Sequence, residues 1–359
     1  MAQSANKDAR HPCLDGLRGL SIALVLYAHA TKTAPLTAFK TDLIDLGNLG
    51  VRLFFILSGF LFTTMLVEER EKTGTIGLPI FYLRRFLRLM PAFFTFLLVV
   101  GLVAALGFVT LEDNDLLCAL TFTTNYHPDR AWGLGHLWTF AVAEQFYLVW
   151  PATILLFGRR GARSAALGAI LLAPVFRTLI YVYAPSLRAT IGESFETVVD
   201  AIAMGALVAL LDRKQGVLGR VLSHGMTPIA AVAIGCAAQT LQPWISLSYT
   251  IGETVTNAAL ATVVAASMTA PRTAFGRLLD SRPMSYLGTI SFSLYLAQQP
   301  FLDPTRHDWA TTFPMSVIGA LAAGIALHYA VERPVMKLRS RITKRLRSRA
   351  YALATGSLR

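Results

Sequence analysis

An arginine and a histidine lie eleven residues apart in an apolar segment near the start of the chain, "LDGLRGLSIALVLYAHA" at residues 14–30. Ionisable side chains at membrane depth are costly, and they usually face a bundle interior or a water-filled cavity. Eleven residues of α-helix make three turns and about 20°, so Arg18 and His29 share one helix face, about 16 Å apart along the axis. Between them the stripe is apolar, at Ile22 and Val25. The spacing predicts a polar group at each end of one helix face.

A second set of residues lies in "GVRLFFILSGFLF", residues 50–62. Gly50, Ser58 and Gly59 are small, which allows neighbouring membrane helices to approach closely. Arg52 would lie near one end of this helix. It either snorkels to the membrane interface or contributes to a polar cavity.

Three arginines form a third set in "FYLRRFLRLMP", residues 81–91. Arg84 and Arg88 are one helical turn apart and share a face, with Arg85 beside them. Guanidinium groups suit phosphate oxygens, often in bidentate geometry. The cluster therefore fits the phosphates of a cytoplasmic cofactor, and it equally fits a positively charged topology anchor.

The fourth set is an acidic residue inside an apolar run, Glu144 in "GHLWTFAVAEQFYLVWP" at residues 135–151. His136 and Tyr147 share one face of the same predicted helix. A glutamate at this depth either pairs with a cation or stays protonated.

Because a charged side chain inside the membrane needs a partner, candidate partners can be named for the isolated charges. We expect Glu144 either to orient His29 or to pair with Arg18 or Arg177. Arg177 and Asp200 are a second candidate pair, joining the fifth and sixth predicted helices.

Composition identifies the kind of scaffold that positions these residues. The 359 residues are 54% hydrophobic and only 15% charged, with a mean hydropathy of +0.51, whereas soluble domains carry about 25% charged residues. Apolar runs near 20 residues recur along the chain, which predicts an all-α, polytopic transmembrane helical bundle. The first run lacks a small-residue cleavage site, so we expect a retained helix and not a signal peptide. About ten helices are predicted, at 14–32, 47–67, 87–108, 136–157, 164–184, 192–211, 226–242, 250–270, 284–302 and 312–331.

The net charge of +12 is explained by membrane topology and not by nucleic acid. Most of the 33 Lys and Arg residues fall between alternate pairs of helices, in segments such as "LRRFLR" and "GRRGAR" and in the C-terminal tail. The positive-inside rule then places both termini in the cytoplasm. The predicted organisation is a cytoplasmic N-terminal segment (1–13), a membrane domain (14–336) and a basic cytoplasmic tail (337–359). The tail can also contact anionic lipid headgroups.

Cysteine and histidine spacing predicts no metal site. The three cysteines are scattered, and the seven histidines form no HxxxH arrangement.

Taken together, the sets resemble the acyltransferase-3 family of integral membrane O-acyltransferases from about residue 12 to residue 336. The matching segments, in order, are "LDGLRGLSIALVLYAHA", "GVRLFFILSGF", "RRFLRLMP", "HLWTFAVAEQFYLVWP", "DAIAMGALVA" and "LGTISFSLYL". The resemblance implies transfer of an acyl group, often acetyl, from cytoplasmic acyl-CoA to a hydroxyl of a carbohydrate or glycosylated acceptor. It also implies a multi-pass protein of the bacterial inner membrane.

The family's residues can be transferred one by one. Its essential arginine and histidine fall on Arg18 and His29, and its helix-four acid falls on Glu144. Its basic triplet falls on residues 84, 85 and 88, the three arginines expected to bind the acyl-CoA donor. The predicted catalytic residues are thus His29, Arg18 and Glu144.

The residue types suggest roles at the two ends of the first helix. Imidazole titrates near neutral pH, so His29 can act as general base on the acceptor hydroxyl. Arg18 would hold part of the donor or polarise its thioester carbonyl. A covalent acyl-histidine is a second route, ranked below direct transfer.

Two departures from the family pattern limit these assignments. Members commonly have a histidine where this chain has Gln298, and a second acid where it has Ala143, so neither position receives a catalytic role.

No hydrolase-like extension follows the membrane domain, so we do not expect a two-domain peptidoglycan-type member. A secondary transporter or flippase is the main alternative function, because it too would bury arginine, histidine and glutamate.

Overall fold

The computed structural model describes residues 12–33, 35–39, 44–211, 216–240, 248–270 and 273–342. Throughout these ranges the chain is almost entirely helical and contains no β-strand. The predicted all-α class is therefore confirmed. Residues 1–11 of the predicted N-terminal segment and 343–359 of the predicted basic tail lie outside the described ranges.

The described helices differ widely in length. A π-helical turn at Ser248–Gly252 leads into α10, and another at His328–Glu332 follows α13, after which the helix continues to Ile342. The α-helices are α1 Pro12–Ala30, α2 Leu46–Thr73, α3 Leu78–Ala105, α4 Asp115–Leu120, α5 Trp132–Gly135, α6 Leu137–Tyr183, α7 Phe195–Leu210, α8 Gly216–Ser223, α9 Thr227–Thr240, α10 Glu253–Thr269, α11 Ala274–Leu279, α12 Arg282–Ala297 and α13 Met315–Leu327.

Four helical segments in the described ranges are long and apolar enough to cross a membrane: Leu46–Thr73, Leu78–Ala105, Trp132–Tyr183 and Met315–Ile342. A fifth is possible if α8 and α9, which meet at 87°, count as one broken span. By contrast, α7, α10 and α12 have only 16 or 17 residues, fewer than the roughly 20 that span a hydrocarbon core. A helical membrane protein is supported, and the ten-span topology stays a prediction.

Helix boundaries around the third predicted helix were wrong. α2 does not end at residue 67 but continues to Thr73, where Gly74 in the left-handed conformation caps it and donates its backbone N–H to the Arg70 carbonyl. α3 begins at Leu78 and not at residue 87, with Pro79 in its first turn, where proline is favoured. The three arginines of the third set therefore lie inside a helix.

The predicted break at 158–163 shrinks to a kink at one residue. Gly158 adopts φ 66° and ψ −169° inside α6, a conformation open to glycine and costly for other residues. Arg70 Nη1 donates to the carbonyl of Ile154 one turn earlier. α6 therefore bends where α2 ends.

Glycines bring the central helices into direct contact. A Cβ on Gly59 would lie 2.0 Å from the Ile202 carbonyl oxygen, and one on Gly205 would lie 1.9 Å from that of Ile56. The backbones of α2 and α7 therefore touch. Gly50 lies close to α1, where a Cβ would fall 2.6 Å from the Ser21 carbonyl oxygen, so the predicted packing role of Gly50 and Gly59 is confirmed.

α1 lies between α2 and α12 and supports the site. A Cβ on Gly288 of α12 would fall 1.8 Å from the Asp15 carbonyl oxygen of α1. Leu17, Ile22 and Val25 of α1 are buried. Because one face of α1 packs on backbone, its rotation, and hence the direction of its polar face, is fixed.

Gly205→Val is expected to destabilise the bundle by about 3 kcal/mol or more, because the side chain would overlap the α2 backbone. Thermal unfolding in detergent measures the loss. Gly168→Ala is the matched control, since nothing lies within 4 Å of a Cβ there and alanine favours helix. Equal melting temperatures for the two variants would contradict the close approach of α2 and α7.

Candidate active site

The His29 end of the site, comprising His29, Trp132, His136, Gln298 and Gln299, forms where α1, α5, α6 and α12 meet. His29 Nδ1 lies 2.8 Å from Oε1 of Gln298. Its ring packs edge-on against Trp132, with ring centroids 5.6 Å apart. Among the described residues, no hydrogen bond reaches the other ring nitrogen, Nε2. The imidazole is thus held from one side and has one nitrogen available.

Trp132 and His136 are themselves fixed by neighbouring backbone and amide groups. Trp132 Nε1 donates to the Leu302 carbonyl at 3.1 Å. The backbone N–H of His136 donates to Oε1 of Gln299 at 2.7 Å. The walls around His29 are therefore ordered by hydrogen bonds that cross between helices.

His136 is nearly fully buried, at 3% exposure. Its ring packs against Phe96 and Tyr295, and it lies within electrostatic range of His29. Both ring nitrogens lack a hydrogen-bond partner within the described ranges. The sequence placed His136 on a polar helix face, and the structure brings it to the His29 end.

The Arg18 end of the site lies at the start of α1. There Arg18 is within electrostatic range of Arg88, Asp15, Glu332 and Tyr147. No hydrogen bond or ion pair links its guanidinium to another described residue. The structure thus brings Arg18 together with one member of the predicted arginine cluster.

Glu332 belongs to a small buried network beside Arg18. Its Oε2 accepts from Ser293 Oγ at 2.6 Å and lies 2.9 Å from His328 Nδ1. His328 and Glu332 bound the π-helical turn after α13, a distortion that often accompanies functional sites. Periodicity alone could not reveal this network, because the π turn shifts the helix face.

Glu144 pairs with Arg85, so the expectation that it orients His29 or pairs with Arg18 or Arg177 was wrong. Its two oxygens lie 2.5 and 3.1 Å from the Arg85 guanidinium. The same guanidinium stacks on the ring of Tyr147 at 3.3 Å. The correction follows from α3 starting early, which places Arg85 at the depth of Glu144.

Glu144→Ala is expected to lower stability by about 3 kcal/mol, because the half-buried Arg85 would lose its counter-charge. The matched control is Glu71→Ala at the exposed Arg159 pair, which should cost less than about 1 kcal/mol. Thermal unfolding in detergent compares the two. Equal small losses would mean that the Arg85 pair is solvated.

Two further buried ion pairs lie outside the site. Arg177 pairs with Asp200 at 2.6 Å, as predicted, and both are almost fully buried. Arg52 is buried as well, where it contacts Asn48, Asn257 and Glu253, so the interfacial snorkelling alternative was wrong. Both networks join helices, α2 to α10 through Arg52 and α6 to α7 through Arg177.

The segment between α3 and α6 is tied down by polar contacts. Arg130 Nη2 lies 2.5 Å from Glu193 Oε2, and Tyr126 donates to Glu196 at 2.8 Å. Partial burial and that carboxylate raise the pKa of Tyr126 to about 12. These contacts hold α5, and with it Trp132, over the His29 end.

Gln298 is the contact of His29 that sequence reasoning missed. It was set aside because the family commonly has histidine there, yet it is the direct partner of His29. A buried amide pair at the end of an apolar helix, Gln298 and Gln299, was the available signal. Among the described residues, no group of His, Cys, Asp or Glu could hold a metal ion.

Comparison with known proteins gives a consistent result. A family model described as an acyltransferase domain matches residues 11–333. The chain is 25% identical over 330 residues to peptidoglycan O-acetyltransferase OatA of Listeria monocytogenes, covering 84% of this chain and 51% of that protein. It is 25% identical over 319 residues to O-acetyltransferase OatA of Staphylococcus aureus, covering 81% and 50%. The chain thus spans about half the length of these relatives, and no solved structure matches it.

Proposed function

Because the chain belongs to the acyltransferase-3 family, we propose that it is a multi-pass O-acyltransferase of a bacterial inner membrane. The reaction moves an acyl group, acetyl in this proposal, from cytoplasmic acyl-CoA to a hydroxyl of a carbohydrate or glycosylated acceptor. Two relatives are named O-acetyltransferases, one of them for peptidoglycan, which supports acetyl as the group and carbohydrate as the acceptor.

His29 is the proposed general base. The observation that carries this role is the environment of its ring, where Nδ1 is engaged by Gln298 and no described residue bonds Nε2. A neutral imidazole with a free nitrogen can accept the proton of an acceptor hydroxyl. Trp132 packs edge-on against this ring, and His136 lies within electrostatic range of it.

His29 can serve as the single base for the whole transfer, because it takes one proton and later returns it. The hydroxyl oxygen attacks the thioester carbonyl carbon while its proton passes to Nε2 of His29. The tetrahedral intermediate then collapses, the carbon–sulfur bond breaks, and the imidazolium returns the proton to the departing thiolate. The products are an O-acyl ester and free CoA.

The donor phosphates are assigned to the Arg18 end. Arg18 and Arg88 lie within electrostatic range of each other there, and arginine forks bind phosphate oxygens well. Since about 16 Å of helix separates Arg18 from His29, Arg18 holds a remote part of the donor and does not polarise the carbonyl. The thioester then reaches His29 through the long arm of CoA.

The other two arginines of the cluster take different parts in this proposal. Arg84, on the same helix face as Arg88, contacts the donor at the mouth of the site. Arg85 is already engaged by Glu144 and Tyr147. Glu144 therefore acts by fixing α6 to α3 beside the donor, and not on the acceptor hydroxyl.

Release of free CoA from acetyl-CoA by the purified protein tests this function. We expect CoA release that rises on adding peptidoglycan fragments or other envelope saccharides, with the acetyl label recovered on the saccharide. A transporter would instead move labelled saccharide across a vesicle membrane without producing CoA. Saccharide uptake with no CoA release in any acceptor mixture would overturn the proposal.

A further inference from the structure

The amide of Gln298 closes α12 directly against His29. Gln298 is fully buried, and its Oε1 lies 2.8 Å from His29 Nδ1. Oε1 of Gln299, the next residue, accepts a hydrogen bond from the backbone N–H of His136 at 2.7 Å. The end of α12 thus carries two consecutive amides, each bonded to a histidine from a different helix.

The chemistry of this contact decides which nitrogen of His29 carries a proton. An amide oxygen only accepts hydrogen bonds, so Oε1 pairs with the Nδ1–H form of the imidazole. The neutral ring then has its lone pair on Nε2, the nitrogen that no described residue bonds. An amide is also uncharged, so it orients the ring without stabilising the protonated form as a carboxylate would.

We propose that Gln298 is a positioning residue that holds His29 in the Nδ1–H tautomer and aims Nε2 at the acceptor hydroxyl. This inference rests on the proposed role of His29 as general base. The reversed amide would donate from Nε2 of Gln298 to Nδ1 and move the ring proton to Nε2, which would remove the base. The two orientations of the Gln298 amide therefore predict opposite effects on the rate when residue 298 is replaced by a side chain that can only accept a hydrogen bond.

Other charged and titratable groups near His29 are few. Lys32 and Asp45 lie within electrostatic range of its ring, as does His136. Trp132 covers one side with an aromatic edge and carries no charge. Gln298 makes its described side-chain hydrogen bond to His29 and to none of these groups, so a difference between variants reports on residue 298.

The test compares Gln298→Met, which removes the acceptor, with Gln298→Glu, which keeps an accepting oxygen and adds a charge. For Gln298→Met we expect kcat to fall about 10- to 100-fold, by analogy with the loss seen when the hydrogen-bond partner that orients a metal-binding histidine is removed, with the KM for acetyl-CoA unchanged. For Gln298→Glu we expect most of the rate above neutral pH. As the pH is lowered, the rate of this variant should begin to fall at a higher pH than the rate of the wild type, because the carboxylate favours the protonated imidazole.

Gln299→Glu is the matched control for charge. It places a carboxylate one residue away, where the amide bonds the backbone of His136 and not the His29 ring. The pH shift should be clearly smaller than in Gln298→Glu. Equal shifts would mean that only a nearby charge matters, and the positioning role would be rejected.

Rates are measured on the monodisperse fraction of each purified variant and divided by the amount of folded protein. A loss of stability is then not mistaken for a loss of catalysis. Gln298→His, which carries the residue common in the family, gives a second folded variant and should restore part of the rate. If Gln298→Met has the wild-type kcat while His29→Ala is inactive, the positioning role is wrong and the base assignment stands. If His29→Ala itself remains active, the base assignment fails first.

Discussion

Replacing His29 by alanine is expected to lower acyl transfer about 1,000-fold, within the range that a positioned general base contributes. The acceptor hydroxyl would lose the group that removes its proton, while donor binding about 16 Å away along α1 would remain. Steady-state CoA release, with the KM for acetyl-CoA measured in parallel, gives the result. We expect a loss confined to kcat.

His224→Ala is the matched control, because His224 is an exposed histidine in the turn between α8 and α9, and no described contact links it to the site. Its rate should equal that of the wild type. His29→Gln adds a second test, since a glutamine can still bond Gln298 but cannot act as a base near neutral pH. A rate for either His29 variant within threefold of wild type would show that another group removes the proton.

Replacing Arg88 by alanine is expected to raise the KM for acetyl-CoA about 10- to 100-fold. Losing a hydrogen bond between charged groups costs roughly 1.5–3 kcal/mol, which corresponds to that change in affinity. Arg18→Ala should act in the same direction, because Arg18 lies beside Arg88. Lysine at position 88 should restore binding only in part, since it lacks the guanidinium fork.

Arg160→Ala provides the matched loss of one positive charge. Arg160 is exposed just after the kink in α6, and no described contact links it to the cluster. The affinity of the Arg160→Ala variant for acetyl-CoA, measured by calorimetric titration in detergent, should equal that of the wild type. If Arg18, Arg84 and Arg88 variants all bind the donor as tightly as the wild type, the arginines only anchor the topology and the donor binds elsewhere.

Helical periodicity was sufficient to predict what happens within one element. The eleven-residue spacing correctly placed Arg18 and His29 on α1, because both belong to a single regular helix. The small residues Gly50 and Gly59 likewise predicted close packing, since the requirement for them is local. Arg177 and Asp200 could be paired because so few ionisable groups lie inside the apolar runs.

Contacts between distant elements could not be predicted in the same way. His29 and Gln298 are 269 residues apart, and Arg85 and Glu144 are 59 apart. No spacing rule relates residues on different helices, so which charge meets which depends on where each helix begins. A late start assigned to α3 was enough to pair Glu144 with the wrong residues.

In the proposed reaction, one site on α1 takes an acyl group from CoA and places it on a carbohydrate hydroxyl, with His29 as the base. The most direct measurement follows radiolabelled acetyl-CoA with the purified protein and envelope saccharides, comparing wild type with His29→Gln. We expect the wild type to produce saccharide-bound label that is removed by hydroxylamine, which cleaves esters, and we expect the variant to produce none. Equal label in both proteins, or CoA release without any ester on the saccharide, would contradict it.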